Sequence, residues 1–131
     1  MAVVSRRGRP HHIELWLDDD GSWPWLLERL GYVLESSWAS GGSWVLGDVY
    51  IVLESGPDHV RGRHERLRSG LNHVAFWAGS RAEVDAVVGE AGRHGWTLMF
   101  ADRHPHAGGP DVYAAYLENA AGFEVELVAE D

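Results

Sequence analysis

Hydrophobic and polar residues alternate in two similar stretches of the chain. The first is His12-Ile13-Glu14-Leu15-Trp16, and the second is His73-Val74-Ala75-Phe76-Trp77, a little under half the chain later. Alternation with a period of two residues predicts β-strands, each with its histidine and tryptophan on the same face. The repeated pattern predicts a duplicated module with one histidine at an equivalent position in each copy.

The same order of elements follows both of these strands. For module one we predict strands at 11–17, 32–39, 43–46 and 49–54, and a helix from residue 22 to about residue 30. Asp18-Asp19-Asp20-Gly21 ends the first strand, Ser22 is a candidate helix cap, and Gly31 is a natural helix stop.

Module two repeats this order. We predict strands at 71–78, 96–101, 112–118 and 123–129, with a helix that Ser80 caps and that ends near residue 94, before Gly95. A loop at 102–111 lies between its second and third strands.

The chain length of 131 residues favours a single domain. We divide it into module one (about 10–54), a polar linker (55–70) and module two (71–130). The predicted fold class is α+β, with two βαβββ modules that form a curved mixed sheet around a cavity. The cavity is expected because each helix covers only one face of its sheet.

Composition excludes several kinds of chemistry. The net charge of −9 argues against nucleic acid as a partner, and the basic residues Arg6-Arg7-Gly8-Arg9 are interpreted as a solvated tail. The chain has no Lys for a Schiff base and no Cys for a disulfide or thiolate site. Because no apolar run approaches the ~20 residues of a membrane helix, we expect a cytoplasmic protein that does not enter membranes.

Three side chains are candidate metal ligands. In the last predicted strand, Phe123, Val125 and Leu127 form an apolar face, so Glu124 and Glu126 turn to the opposite face. His12, His73 and Glu126 would then supply two imidazoles and one carboxylate. This set suits a divalent metal such as Fe, Mn, Ni, Co or Zn and leaves positions open for substrate.

Aligning the glycine turns of the two modules pairs Ile51 with Glu126. A symmetric duplication would offer a fourth ligand, but this position in module one is aliphatic. Three protein ligands with an open position are what a catalytic site requires.

The remaining candidate site residues are chosen because they lie on the same strand faces as the metal ligands or in the loop at 102–111. Glu14, His106 and Tyr116 are candidate acids or bases, although Glu14 could equally be a surface residue. For the substrate pocket we predict Trp16, Trp77, His104 and Glu124, with Glu124 at the rim. Packing between the modules is the alternative role for the two tryptophans, and the seven Trp in total suit either a pocket or an interface.

Three segments resemble the glyoxalase/bleomycin-resistance/extradiol-dioxygenase (vicinal oxygen chelate) superfamily over about residues 10–130. They are Pro10-His11-His12-Ile13-Glu14-Leu15, Leu71-Asn72-His73-Val74-Ala75-Phe76 and the run from Glu118 to Leu127. The resemblance implies metal ligands at His12, His73 and Glu126. It also implies a homodimer in which module one of one chain and module two of the other build each site.

The subfamilies are separated less clearly. Tyr116 and the ending Gly-Phe-Glu-Val-Glu look like those of extradiol dioxygenases, whereas Ala115 and Ala120 depart from that pattern and the expected histidine is displaced to His106. Glu124 and Ala115 stand where fosfomycin-resistance enzymes carry phosphonate-binding residues, which argues against a phosphonate. A glyoxalase usually has a fourth metal ligand, a carboxylate or a histidine, whereas Ile51 stands at the corresponding position in this chain.

The leading hypothesis is therefore a metal-dependent enzyme for a small substrate that chelates the metal through vicinal oxygens. Ring cleavage with dioxygen, or a lyase or isomerase step, are the candidate reactions. The alternative is a bleomycin-resistance-type protein that sequesters an aromatic antibiotic or natural product. A metal-bearing family member without catalysis is a third hypothesis.

Overall fold

Each half of the chain folds as one strand, one helix and three further strands. The computed structural model describes residues 4–18 and 20–131, so residues 1–3 of the predicted tail and Asp19 of the predicted turn lie outside the described residues. Module one contains β1 (His12–Trp16), α1 (Ser22–Arg29), β2 (Val33–Trp38), β3 (Gly41–Leu46) and β4 (Val49–Glu54). Module two contains β5 (Val74–Trp77), α2 (Arg81–Ala91), β6 (Trp96–Leu98), β7 (Ala114–Asn119) and β8 (Glu124–Val128).

The strands form two separate four-stranded sheets with the same topology. The first has the order β1-β4-β3-β2 and the second has the order β5-β8-β7-β6. In each sheet the first pair is parallel and the other pairs are antiparallel. The predicted α+β fold with two βαβββ modules is confirmed. The two sheets are not hydrogen-bonded to each other, and no closed barrel forms among the described strands.

One face of each sheet and both helices contribute to a common hydrophobic core. Trp23 of α1 is central, because it is 1% exposed and meets the rings of Trp96 and Phe123 in module two. Trp96 Nε1 donates to the carbonyl oxygen of Ser22 at 2.9 Å, and Asn119 Nδ2 donates to Ser22 Oγ at 3.1 Å. The helix of module one therefore packs directly against module two.

The opposite face of each sheet, here called its open face, carries residues outside this core. On the first sheet it includes His12, Glu14, Trp16, Tyr50, Val52 and Ser43, and on the second it includes Ala75, Trp77, Glu126, Tyr116 and Glu118. Trp16 is 47% exposed and Trp77 is 72% exposed. Large indoles without cover suggest that these faces meet another molecule.

The predicted N-terminal cap is observed in one of the two helices. Ser80 caps α2 by accepting a hydrogen bond from the backbone N–H of Glu83, as predicted. The cap predicted at Ser22 is wrong, because Gly21 occupies that position and Ser22 Oγ instead donates to Asp20 Oδ1 at 2.6 Å.

Several strands differ in length from the predictions. β3 begins at Gly41, two residues before the predicted start at residue 43. Gly41 pairs so closely with the adjacent strand that a side chain there would collide with the carbonyl oxygen of Leu53. β6 ends at Leu98, shortly before Phe100 adopts a left-handed backbone with φ of 54°. Among the described residues, no helix is long and apolar enough to cross a membrane.

Candidate functional site

Three of the predicted site residues come together on the open face of the second sheet. His73 lies immediately before β5, Glu126 lies opposite Ala75 in β8, and Tyr116 lies opposite Glu126 in β7. His73 Nε2 is 3.2 Å from Glu126 Oε1, and the His73 and Tyr116 rings meet edge to face with centroids 5.9 Å apart. An imidazole, a carboxylate and a phenol therefore share one small area.

The phenol of Tyr116 remains protonated at neutral pH. Burial raises its pKa above the ordinary value of 10.0, and the negative charge of Glu126 raises it further. The loop after β6 passes directly over this hydroxyl, since a Cβ at Gly108 would lie 2.8 Å from it. Tyr116 is consequently a hydrogen-bond donor in a partly enclosed position.

Asn72 determines the orientation of the His73 ring. Its Nδ2 donates to the carbonyl oxygen of Arg66 at 3.1 Å, which leaves Oδ1 facing His73 Nδ1 at 2.7 Å. Because Oδ1 can only accept, Nδ1 carries the proton. In the neutral ring the lone pair of Nε2 then points at the Glu126 carboxylate. Two acceptors at 3.2 Å require a proton or a cation between them.

Glu124 lies beneath this area rather than at the rim of a pocket. It is 3% exposed, and its Oε1 is 3.0 Å from Arg66 Nη1, an ion-pair distance without good hydrogen-bond angles. Its Oε2 is 3.6 Å from His73 Nδ1. The predicted rim position is therefore wrong. The contact with Arg66 could not be predicted from local patterns, because 58 residues separate Arg66 from Glu124 in the chain.

His12 occupies a different environment on the first sheet. Its ring stacks on Tyr50 with centroids 4.6 Å apart, and its Nδ1 is 3.0 Å from His11 Nδ1. Within residues 4–18 and 20–131, no group of three or more His, Asp or Glu side chains is placed to hold a metal ion. A single chain thus brings His73 and Glu126 together but does not add His12, and the three-ligand site remains a prediction.

The strand registers correct the predicted correspondence between Ile51 of module one and Glu126 of module two. Ile13 lies opposite Ile51, and Val74 lies opposite Val125. Ile13 and Val74 each follow their module's histidine, so Ile51 corresponds to Val125 and Val52 corresponds to Glu126. The pairing of Ile51 with Glu126 is wrong by one residue, because the β7–β8 turn is one residue longer than the β3–β4 turn.

The remaining candidates are distributed over both sheets. Glu14 accepts a hydrogen bond from Trp16 Nε1 at 2.6 Å, and Trp77 is the most exposed indole of the open faces. His106 Nδ1 donates to the carbonyl oxygen of Val112, and its ring meets Tyr113, whose hydroxyl donates to Asp85 of α2. These contacts associate His106 with the helix side of the second sheet. His104 is half-buried in the same loop.

Comparison with known proteins identifies the family. The chain is 39% identical over 124 residues to the uncharacterized protein YqjT of Bacillus subtilis (strain 168), covering 91% of this chain and 97% of that protein. A crystal structure from Bacillus halodurans, provisionally named a glyoxalase, has a TM-score of 0.86 and 39% identity, covering 95% of this chain and 97% of the other.

A more distant structure shares only the fold. It is a variant of the fosfomycin resistance protein FosX from Listeria monocytogenes, in complex with Mn(II) and a dihydroxypropylphosphonic acid. It has 15% identity and a TM-score of 0.63, covering 92% of this chain and 89% of its own. No protein-family model matches the chain. Because the Bacillus halodurans protein is 39% identical and the match covers 95% of this chain, the chain belongs to the glyoxalase family, which is part of the superfamily that its sequence resembles.

Proposed function

We propose that the protein is a metal-dependent enzyme of dioxygenase or lyase type, acting on a small substrate that chelates a divalent ion through vicinal oxygens. The observation that carries this proposal is the contact between His73 and Glu126. With its proton on Nδ1, the neutral ring presents a lone pair to a carboxylate oxygen 3.2 Å away. A divalent cation satisfies both acceptors, and both are ligand types that Fe, Mn, Ni, Co and Zn accept.

The third ligand would come from a second copy of the chain. His12 is exposed on the open face of the first sheet, whereas His73 and Glu126 lie on the open face of the second. If two chains pack with these open faces together, His12 of one chain can approach His73 and Glu126 of the other.

The surrounding residues support chemistry at such a site. A bound divalent ion supplies polarisation of the substrate oxygens and stabilisation of developing negative charge. Asn72 holds the His73 ring so that Nε2 faces the open side. Tyr116, with its raised pKa, donates a proton or a hydrogen bond to a substrate oxygen. Glu14, on the open face of the first sheet, is the candidate base from the second chain.

Metal content tests the ligand set. The protein is purified without chelator, reloaded with each of the five metals and analysed by elemental mass spectrometry. We expect bound metal in the wild type, and loss of it in His12→Ala, His73→Ala and Glu126→Gln. His94→Ala is the matched control, because this exposed imidazole stacks on Trp25 away from the site. Full metal retention in all three ligand variants would overturn the assignment.

Mixing of variants tests whether two chains share the site. His12→Ala and His73→Ala chains are unfolded, mixed and refolded together. In a twofold dimer with shared sites, half of the dimers are mixed and each has one complete site, so about a quarter of the wild-type metal content returns. If each chain built its own site, the mixture would bind no metal.

The exposed indoles favour the second candidate function, sequestration of an aromatic compound. Trp16, Trp38 and Trp77 are all 44% exposed or more. Indole faces that line a groove can stack on a planar ligand. Tight binding of a polyaromatic antibiotic to metal-free protein, without turnover in the presence of metal, would favour this function over the enzyme.

A further inference from the structure

The segment from His59 to His64 is held against module two, although it belongs to the predicted linker. The backbone N–H of His64 donates to the carbonyl oxygen of Ala121 at 2.7 Å, and Arg63 Nη1 donates to that of Ala120 at 2.8 Å. The His64 ring stacks on Phe123 with centroids 4.4 Å apart. These contacts attach the C-terminal end of residues 59–64, here called the basic strap, to module two.

A cleft of about 330 Å³ lies between the basic strap and the end of β1. Trp16 and Leu17 form one wall and Phe123 contributes from module two, with all six strap residues opposite. This volume is at the lower end of the range for small-molecule sites. None of the three proposed metal ligands lines the cleft, so it is a separate site.

The cleft concentrates positive charge in a chain whose net charge is −9. The strap contains two arginines and two histidines and no acidic residue. Asp18 at the edge accepts a hydrogen bond from Arg61 Nη1 at 3.1 Å. A guanidinium group has five N–H donors, and among the described contacts Arg61 and Arg63 each use one for a hydrogen bond. Donors are therefore left over for an anion.

Two further features make the cleft suitable for a ligand. The side chain of His59 is 8% exposed, and its Nδ1 has no hydrogen-bond partner among the described residues, with Asp18 Oδ1 3.7 Å away. Trp16 presents an indole that is 47% exposed and is held by its hydrogen bond to Glu14. Such a fixed, flat surface can stack on a planar group.

We propose that this cleft binds a small aromatic carboxylate. The carboxylate group accepts hydrogen bonds from Arg61 and Arg63, which offer paired donors of matching geometry. The ring of the ligand packs on Trp16. This site does not depend on the proposed metal centre, and it is tested in protein that has been stripped of metal.

Benzoate is the probe for a titration of the metal-free, full-length protein, followed by the indole N–H resonance of Trp16 in two-dimensional NMR. We expect a saturable shift with benzoate and at least about tenfold weaker binding of benzamide, which has the same ring without the charge. Arg61→Gln and Arg63→Gln should each weaken benzoate binding by about tenfold. Arg68→Gln is the matched control, because Arg68 carries the same charge nearby but does not line the cleft.

Three outcomes would overturn the proposal. They are equal affinity for benzoate and benzamide, unchanged benzoate affinity in Arg61→Gln, and the same loss in Arg68→Gln as in the cleft variants. Inorganic phosphate, titrated in parallel, separates a general anion site from one that requires the ring. If phosphate bound as tightly as benzoate, the proposal that the ligand ring packs on Trp16 would be wrong. Arg61→Gln keeps the test valid if Arg63→Gln loosens the strap.

Discussion

The two histidines that open equivalent strands have different neighbours. His12 of module one is exposed and stacks on Tyr50, whereas His73 of module two contacts Asn72 and Glu126 and lies near the buried Glu124. By strand register, Val52 and Ser43 in module one correspond to Glu126 and Tyr116 in module two. The duplicated backbone is thus nearly the same, and the polar chemistry is concentrated on one of its two sheets.

The largest expected effect tests whether the two modules are independent. Trp23→Ala should lower the free energy of unfolding by about 3–5 kcal/mol, because it leaves a cavity where α1 meets Trp96 and Phe123. Urea denaturation provides the measurement. Trp77→Ala removes the same side chain from an open face, where it is 72% exposed, and should change stability much less. Similar losses in both variants would contradict the packing of module one's helix on module two.

An intermediate effect is expected at the ion pair of the buried Glu124, a position that Tyr50 occupies in module one. Glu124→Gln should cost about 1–3 kcal/mol, because Arg66 then loses the charge of its partner. The side chain of Arg66 is 24% exposed, so partial hydration limits the loss. The measurement is again urea denaturation, with Tyr50→Phe at the corresponding position of module one as the control. A loss no larger than that of the control would show that the ion pair does not stabilise module two.

The smallest expected effect concerns the ionisation of Tyr116. Its pKa is raised by burial and then by Glu126, so the folded state holds the phenolic proton more tightly than the unfolded state. This stabilisation is complete below pH 10 and is lost as pH rises through the higher pKa of the folded state. Glu126→Gln should lower the Tyr116 pKa while leaving it above 10.0, because burial remains. NMR titration of labelled tyrosine measures both values, and an unchanged pKa in the variant would contradict the role of Glu126.

The order of elements was predictable from the sequence because it depends on local patterns. Alternation identified β1 and β5, and the sequence Ser80-Arg81-Ala82-Glu83 identified the start of α2. The position of Glu126 on the strand face opposite to Val125 and Leu127 likewise followed from strand periodicity. These features are determined by neighbours in the chain, and they are the ones that the structure reproduces.

Features that depend on distant residues were not predictable. Arg66 approaches Glu124 only because the linker folds back on module two, and Asn72 orients His73 only because its amide reaches the carbonyl of Arg66. The false pairing of Ile51 with Glu126 arose from aligning glycines, since the turns differ in length. The separation of His12 from His73 follows from the arrangement of the two sheets, which periodicity does not encode.

The additional residue in the β7–β8 turn has a consequence for how a duplicated protein diversifies. A change of length inside a strand would exchange its buried and exposed faces, whereas a turn absorbs the change. This turn also exposes the carbonyl oxygens of Ala120 and Ala121, to which Arg63 and His64 attach. The shorter turn of module one has no equivalent attachment among the described contacts. The module with the longer turn thus holds a neighbouring segment through its turn carbonyls, while both modules keep the same sheet topology.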